Sequence, residues 1–418
     1  MKKRCNKMGR RDFLKTVGAA GLGSVLSAAN IKADANDPNA PAKKQEPTVL
    51  QVPKRKLGKT GVEVPSLSLG LMYDVVENQI ILRKSLQKGV CLWDTAPSYA
   101  GGNSEAGIGK FFSKNPEVRK DVFLVTKASG AGTVKDVEKR LGASLKRLNT
   151  SYIDLYYGIH ALSEPSQLTD ELKQWVKDAK GRGLIRFFGF STHTNIAENL
   201  SATAKLDWVD AITTSYNFRL MQDAKIMEAV EACYKVGIGL IAMKTTGKTI
   251  VSWARQDIET EADKKLVEHL LQRGFSAEQA TIKLVLEDKR ISSACVGMEN
   301  ITILTSNAEA VCDETKLTEE DFEVFRNYAA ETCSGYCAGC ANICNSVLPD
   351  MRYVSDIMRY LMYYNTYGDK DRARALFAQI PVEARDKLLG TDYSSAEVRC
   401  PQRLPIGKLI AEAVGKLA

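Results

Sequence analysis

Val90-Cys91-Leu92-Trp93-Asp94-Thr95-Ala96-Pro97-Ser98-Tyr99 decides how this chain is read. A short apolar run ends on a carboxylate, and the loop behind it presents a phenol. The same pattern returns twice downstream. Lys127 closes Val122-Phe123-Leu124-Val125-Thr126, and His160 closes Ile153-Asp154-Leu155-Tyr156-Tyr157-Gly158-Ile159. Lys127 falls 33 residues after Asp94, and His160 falls 33 after Lys127. That spacing suits consecutive βα units of one parallel barrel, whose strand ends gather around a single pocket.

Working outward, a repeat of roughly 30 residues runs from Arg55 onward, the length of one βα unit. Strands are predicted at Ser66–Leu71, Val90–Asp94, Val122–Lys127, Ile153–Gly158, Arg186–Phe190, Ala211–Ser215, Ile238–Met243 and Ser293–Gly297. Amphipathic stretches such as Val134–Arg147, Leu168–Arg182 and Asp223–Val236 separate them as helices. Eight strands alternating with helices point to an α/β fold, a (β/α)8 TIM barrel. A doubly wound open sheet is the runner-up, but no Gly-x-Gly-x-x-Gly opens a helix after a first strand.

The four polar residues make chemical sense together. A phenol is a poor acid at neutral pH, with an ordinary pKa of about 10. A nearby ammonium stabilises the phenolate, so Lys127 is expected to make Tyr99 a better proton donor. Asp94 would hold Lys127 charged and in place, and His160 could orient a carbonyl oxygen. With no acidic pair and no nucleophile, the set suits proton delivery to a carbonyl that receives hydride. Any one of the four alone is an ordinary polar residue at a loop edge.

Asp94-Thr95-Ala96-Pro97-Ser98-Tyr99, followed by Gly101-Gly102-Asn103-Ser104-Glu105 and Gly109-Lys110, resembles the signature of the aldo-keto reductases. The resemblance covers roughly Lys54 to Phe325. It implies an NAD(P)H-dependent (β/α)8 barrel in which Asp94, Tyr99, Lys127 and His160 are catalytic, reducing a carbonyl to an alcohol or the reverse. It also implies cofactor contacts. Ser191 would reach the nicotinamide carboxamide, the Tyr216 ring would stack on the nicotinamide, and Lys244 and Gly297 would lie in the loops after strands 7 and 8, where phosphates bind. The loop Lys244–Lys248 would close over the pyrophosphate. Thr192 and Thr213 stand where the family usually has Asn and Gln, which would alter the carboxamide grip. Glu299 stands where a Lys or Arg often meets the 2′-phosphate, so NAD rather than NADP is one expectation, and the cofactor stays open as NADP or NAD.

Past Thr318 the character changes. Cys333-Ser334-Gly335-Tyr336-Cys337-Ala338-Gly339-Cys340-Ala341-Asn342-Ile343-Cys344 is followed by a helical stretch rich in Arg and Tyr, and the tail carries Cys400-Pro401. Cys337, Cys340, Cys344 and Cys400 can supply four thiolates to one [4Fe–4S] cluster. A structural zinc site is an alternative, and disulfides are a third. The segment is similar to the ferredoxin-like tail of a subset of aldo-keto reductases, although the spacing departs from Cys-x2-Cys-x2-Cys-x3-Cys-Pro. Cys333 is the odd one out, a substitute ligand or a free thiol. Cys91, Cys233, Cys295 and Cys312 read as core fillers.

Residues 1–35 read as a twin-arginine signal peptide. A basic start leads to Gly9-Arg10-Arg11-Asp12-Phe13-Leu14-Lys15, an apolar stretch from Val17 to Ala29, and Ala33-Asp34-Ala35 as a small-x-small cleavage site. The apolar run is too short to span a membrane. The expected location is periplasmic or otherwise extracytoplasmic, reached through the twin-arginine translocase. The segment carries eight Lys/Arg and two Asp/Glu, so it supplies +6 of the formal +8 and leaves little basic excess for nucleic-acid binding. Residues 36–53, with four prolines, read as a linker, 54–325 as the barrel and 326–418 as the iron–sulfur region. A nicotinamide passes two electrons as hydride and a cluster usually one, so the cluster is as readily structural as redox-active. Outside the cytosol, a slowly released NAD(P) recycled in place by a second substrate or a redox partner is one expectation. A barrel-based electron-transfer or binding protein without carbonyl reduction is the rival.

Overall fold

The computed structural model describes residues 50–247 and 260–418. The signal segment, linker residues 36–49 and Lys248 lie outside the described residues. Two three-residue strands open the fold, β1 (Lys54–Lys56) and β2 (Glu63–Pro65), paired antiparallel. The barrel follows as β3 (Leu67–Gly70), β4 (Leu92–Asp94), β5 (Phe123–Ser129), β6 (Ile153–Leu162), β7 (Ile185–Thr192), β8 (Ala211–Ser215), β9 (Gly239–Met243) and β10 (Ile291–Gly297). Each pairs in parallel with the next, and β10 pairs with β3 to close the barrel. All eight expected strands are present.

The hairpin was not expected, because Lys-Arg-Lys and Glu-Val-Pro carry too little alternation to read as strands. It plugs the bottom of the barrel. Leu57 and Val64 join Leu92, Phe123, Val125, Leu155, Tyr157, Ala211 and Ile241 in one interior cluster. The Arg55 guanidinium donates to the carbonyls of Leu286 at 2.7 Å and Ile291 at 2.9 Å, which anchors the hairpin under β10. Gly58 has φ +52, and a Cβ there would lie 2.2 Å from the Gly237 carbonyl oxygen. Only glycine allows that approach.

Helices wrap the strands, and their buried faces meet the outward strand residues in a second, larger core that includes Trp93, Phe112, Tyr156, Phe188 and Phe190. Several helices start where the sequence offers a side-chain cap: Thr133, Thr169, Asp223, Ser276 and Thr318 each accept from a backbone N–H of the first turn. Such caps contribute about 1 kcal/mol apiece. No helix among the described residues is long and apolar enough to cross a membrane.

The boundary expected at 325/326 falls inside a continuous helix, Glu319–Glu331. Its Phe325, Tyr328 and Ala329 pack with Phe218, Leu266 and Leu270 of the barrel shell. Asp321, fully buried, receives His269 at 2.7 Å and Arg273 at 3.3 Å. The chain therefore leaves the barrel shell at the cysteine run, and the apolar seam of this helix is the reason.

Beyond it, helices Ala341–Val347, Val354–Asn365, Lys370–Phe377, Ser394–Arg399 and Ile406–Leu417 form a cap with its own core, built from residues such as Met351, Ile357, Leu361, Phe377, Ile406 and Ile410. Cap and barrel belong to one compact unit. The cysteine run fastens one to the other. Gly339 accepts from the Asn195 N–H at 2.9 Å, Asn342 N–H donates to the Asn195 side chain at 2.9 Å, and the Asn342 amide donates to Glu198 at 2.6 Å. Gly339 has φ +80, and a Cβ there would sit 2.1 Å from the His193 carbonyl oxygen. Gly339→Ala is therefore expected to unseat the cap while the barrel stays folded. Limited proteolysis should cut the variant near residue 339 faster than wild type, and equal cutting rates would show that the contact does not hold the cap.

Candidate active site at the barrel mouth

The four expected residues meet at the open end of the barrel. In β4, Leu92 points inward, so by period two Asp94 also points inward. In β5, Phe123 and Val125 put Lys127 on the same inner face. Lys127 Nζ donates to Asp94 Oδ1 at 2.6 Å and to the Thr95 carbonyl at 2.8 Å. Strict alternation from Leu155 and Tyr157 would turn His160 away from the interior. The β6–β7 ladder shifts register between Tyr157 and Ile159, and the β5–β6 ladder between Lys127 and Ser129. Such irregularities re-aim side chains. His160 thereby reaches the site, its Nδ1 2.7 Å from Ser129 Oγ and its ring edge-on to Tyr99 with centroids 6.1 Å apart. The Lys127 ammonium lies 4.7 Å from the Tyr99 ring centroid.

The site is enclosed. Tyr99 is 6% exposed and Lys127 2%. Burial alone would lower the Lys127 ammonium's pKa, but Asp94 and Tyr99 outweigh it and hold it above the ordinary lysine range. Burial raises the Asp94 carboxyl, with Lys127 opposing. Burial also raises the Tyr99 phenol, while Lys127 and Arg372 pull it down. The ammonium thus acts in the expected direction but does not overcome burial. His160 is pushed well below the usual histidine range by burial and then by the charges of Lys127, Arg372 and Arg359. It is a neutral imidazole at pH 7, able to donate a hydrogen bond without bringing charge.

The expected cofactor residues separate into two groups. Ser191 stands opposite His160 on the β6–β7 ladder, and among the described residues its buried hydroxyl has no hydrogen-bond partner. Lys244 directly follows β9 with φ +56, and its Nζ lies 5.3 Å from the Tyr363 ring centroid of the cap. Tyr216 does not present an open ring. It is fully buried, and its hydroxyl donates to Asp288 Oδ2 at 2.6 Å, because the side chain leaves β8 toward the surrounding helices. Gly297 is exposed at the end of β10, with open space where a Cβ would be. Thr213 shares a 2.5 Å hydrogen bond with the Tyr157 hydroxyl, and the Thr192 hydroxyl donates to the Leu162 and Thr194 carbonyls, so neither is free for a carboxamide.

The cysteines lie in the cap and its hinge. Cys337, Cys340, Cys344 and Cys400 fold as electrostatic neighbours, and burial followed by the other thiols pushes Cys340 up to about 12. Among the described residues, no group of three or more His, Cys, Asp or Glu side chains could hold a metal ion. None of the nine described cysteines is in a disulfide. Cys233 is a buried core filler as expected, whereas Cys91, Cys295 and Cys312 are partly exposed.

Sequence reasoning missed the cations that the cap brings to the mouth. Arg372 lies 5.0 Å from the Tyr99 ring centroid and 5.1 Å from that of Tyr363. Arg359 and Lys244 share its field at His193, whose imidazole is lowered by burial and then by these charges. The Arg- and Tyr-rich composition of Val354–Phe377 was the only available signal, and it gave no position.

Removing the acid that pairs with Lys127 would leave a buried ammonium uncompensated. Asp94→Asn is expected to destabilise the protein by about 3–5 kcal/mol. Without Asp94, burial depresses the folded-state pKa of Lys127 below its unfolded value. The unfolded chain then binds more protons, so the deficit should shrink as pH rises toward the ordinary lysine range. Chemical denaturation of both proteins between pH 7 and 10 measures it, and a deficit that grows with pH would refute the assignment.

With this geometry in view, comparisons with known proteins agree on one family. The model of the aldo/keto reductase family matches residues 70–329, more than half of the chain. An L-glyceraldehyde 3-phosphate reductase of Escherichia coli O157:H7 is 24% identical over 327 residues, 67% of this chain and 93% of that protein. An L-galactose dehydrogenase of Arabidopsis thaliana is 25% identical over 291 residues, 63% of this chain and 90% of that protein. The holo form of an aldo-keto reductase from Bacillus halodurans superposes with a TM-score of 0.55 at 21% identity, covering 66% of this chain and 96% of that one. The family match stops at Ala329, so the cysteine run and the cap are additions to it. The chain belongs to the aldo/keto reductase family of oxidoreductases.

Proposed function

We propose that this protein reduces a carbonyl compound to an alcohol, or runs the reverse reaction, with Tyr99 as the general acid or base. The observation that carries the reading is the enclosed cluster in which one ammonium, Lys127, bonds to Asp94 and lies over the Tyr99 ring. A bound nicotinamide nucleotide, NADP or NAD, supplies the hydride in this chemistry. The unpartnered, buried Ser191 hydroxyl fits the amide group of such a cofactor, since burying a hydroxyl without a partner is costly. Tyr216 does not fit the stacking role, and Ser191 would hold the carboxamide largely alone.

The chain's own residues account for proton delivery. The neutral His160 orients the carbonyl oxygen through its ring edge. Tyr99 gives that oxygen a proton in the reduction, and Lys127 stabilises the phenolate that remains. Asp94 keeps Lys127 charged and fixed. Tyr99→Phe should retain NAD(P)H binding and lose at least a hundredfold in kcat, a usual scale for removing a general acid. Cofactor titration and turnover on a panel of aldehydes and ketones measure both, and full turnover would refute the role.

The cluster reading belongs to the cap. Four thiols from two segments fold as neighbours, and such a donor set suits soft iron–sulfur chemistry. Thiols at the join of barrel and cap would give such a cluster a structural role. Anaerobically purified protein should contain iron and acid-labile sulfide, about four of each per chain by the cluster formula. Zinc without sulfide would overturn this. Residues 1–35 carry the export reading, by the twin-arginine route to an extracytoplasmic space. One observation favours the rival, a binding or electron-transfer protein: the cap leaves Tyr99 almost no exposed surface. Tight NAD(P)H binding with no turnover across the carbonyl panel would decide for it.

A further inference from the structure

The cap adds charge to the mouth as well as cover. Arg372, Arg359 and Lys244 approach one another there; burial and then the two arginines push the Lys244 amine well below the ordinary lysine range, and the two neighbouring histidines are neutral. Arg359 is paired with Asp356 at 2.7 Å. Among the described residues, neither Lys244 nor Arg372 has a carboxylate within ion-pair distance. Asp369, the N-cap of the Arg372 helix, accepts from the Arg372 backbone N–H. Among the described residues, Arg372 Nη1 is buried and has no hydrogen-bond acceptor. The guanidinium lies against the Tyr99 and Tyr363 rings, which attract a cation but accept no in-plane hydrogen bond.

A buried guanidinium N–H without an acceptor is costly, and guanidinium is the group best shaped for a carboxylate or phosphate. A cavity of about 240 Å³ adjoins Lys244 and Arg359 and is lined also by His193, Ser215, Cys337 and Glu412, while Arg372 stands outside its lining. Lys244 is held at φ +56, a conformation unfavourable for a side chain other than glycine, with its carbonyl fixed by Asn217 at 3.1 Å. Strain of that kind persists where the surroundings need the side chain in one place.

We infer that Arg372, with Lys244 and Arg359, forms an oxyanion clamp, so that the carbonyl substrate carries a carboxylate or phosphate group. The assignment rests on the reduction proposed above. It is the substrate rather than the cofactor that is clamped, because Arg372 stands over the same ring that delivers the proton. A group held there is a few bonds from the reacting carbon, whereas a nucleotide pyrophosphate is separated from its nicotinamide by a whole ribose. Arg372 and Arg359 belong to the cap, outside the family match, whereas Lys244 follows β9 within it.

Matched substrates test it: glyoxylate against glycolaldehyde, and glyceraldehyde 3-phosphate against glyceraldehyde. Wild type should favour the anionic member of at least one pair, and the pair that responds tells carboxylate from phosphate. Arg372→Gln should cut the anionic-to-neutral ratio of kcat/KM about a hundredfold, the scale for truncating one side of a buried charge pair. Arg372→Lys should keep part of the preference. An unchanged ratio in the Gln variant overturns the clamp, and so does an unchanged ratio with weakened NAD(P)H binding, which would assign the arginine to the cofactor. Calorimetry with oxalate and with inorganic phosphate separates clamp from reaction. Tyr99→Phe should still bind the anion that wild type binds, and Arg372→Gln should not. If wild type reduces none of the four compounds but binds an anion through Arg372, the clamp stands and the reduction falls. If wild type binds neither anion, the clamp falls. Thermal midpoints of all variants show whether each remains folded.

Discussion

Everything at the mouth depends on one charge pair kept out of water, Lys127 against Asp94 at 2.6 Å. Burying two ions costs several kcal/mol each, which their attraction offsets only when the geometry is good and the remaining donors are satisfied. The barrel meets both conditions by construction. Asp94 and Lys127 end inward-facing rows on adjacent strands, β4 and β5, and the Thr95 carbonyl takes a second proton of the ammonium. Below them, Tyr157 and Thr213 close the interior with a shared hydrogen bond above the aliphatic layer. Above them, Tyr99 and then Arg372 cover the pair. Water admitted from either side would screen the ammonium and weaken its hold on the phenol.

Much of the barrel was legible because period-two apolar runs and their polar ends are local features. All eight strands, and the gathering of Asp94, Tyr99, Lys127 and His160, follow from them. The route by which His160 arrives did not follow. Simple alternation places it outward, and only the register shift in the β6 ladder turns it in. Tyr216 fails for a related reason. The family resemblance implied a ring stacked on the nicotinamide, but the hydroxyl finds Asp288, 72 residues further along, and no local pattern reports a partner that distant. The hairpin escaped because its strands are three residues long.

The cap was legible as composition and not as position. Arg359, Tyr363 and Arg372 read as one more polar helical stretch, yet the helices that carry them bury a conventional apolar stripe and turn these side chains toward the barrel. Their effect on the site is electrostatic at short range in a poorly solvated space, where charges act far more strongly than in water. His160 and His193 are neutral, each with a serine hydroxyl at its Nδ1. The neutrality is imposed by burial, then by Lys127 at His160 and Lys244 at His193, with arginines from outside the family match adding to it.

What holds those arginines in place is a short extended segment rather than a broad apolar seam. Tyr336 is extended, and side chains on extended chain alternate sides. Tyr336 and Ala338 accordingly pack into the barrel's outer core, while Cys337 packs with the cap core. Arg219 reinforces the join from below, donating to the Gly247 and Ala329 carbonyls and to Thr332, and Asn217 donates to the Tyr336 hydroxyl. These bonds are directional, so they fix the angle of the cap as well as its attachment. An apolar interface of similar size would tolerate sliding, and a slide of a few ångströms would carry Arg372 off Tyr99. The polar, cysteine-bearing hinge therefore does what burial alone could not: it holds a cation from one core in register with a phenol from another.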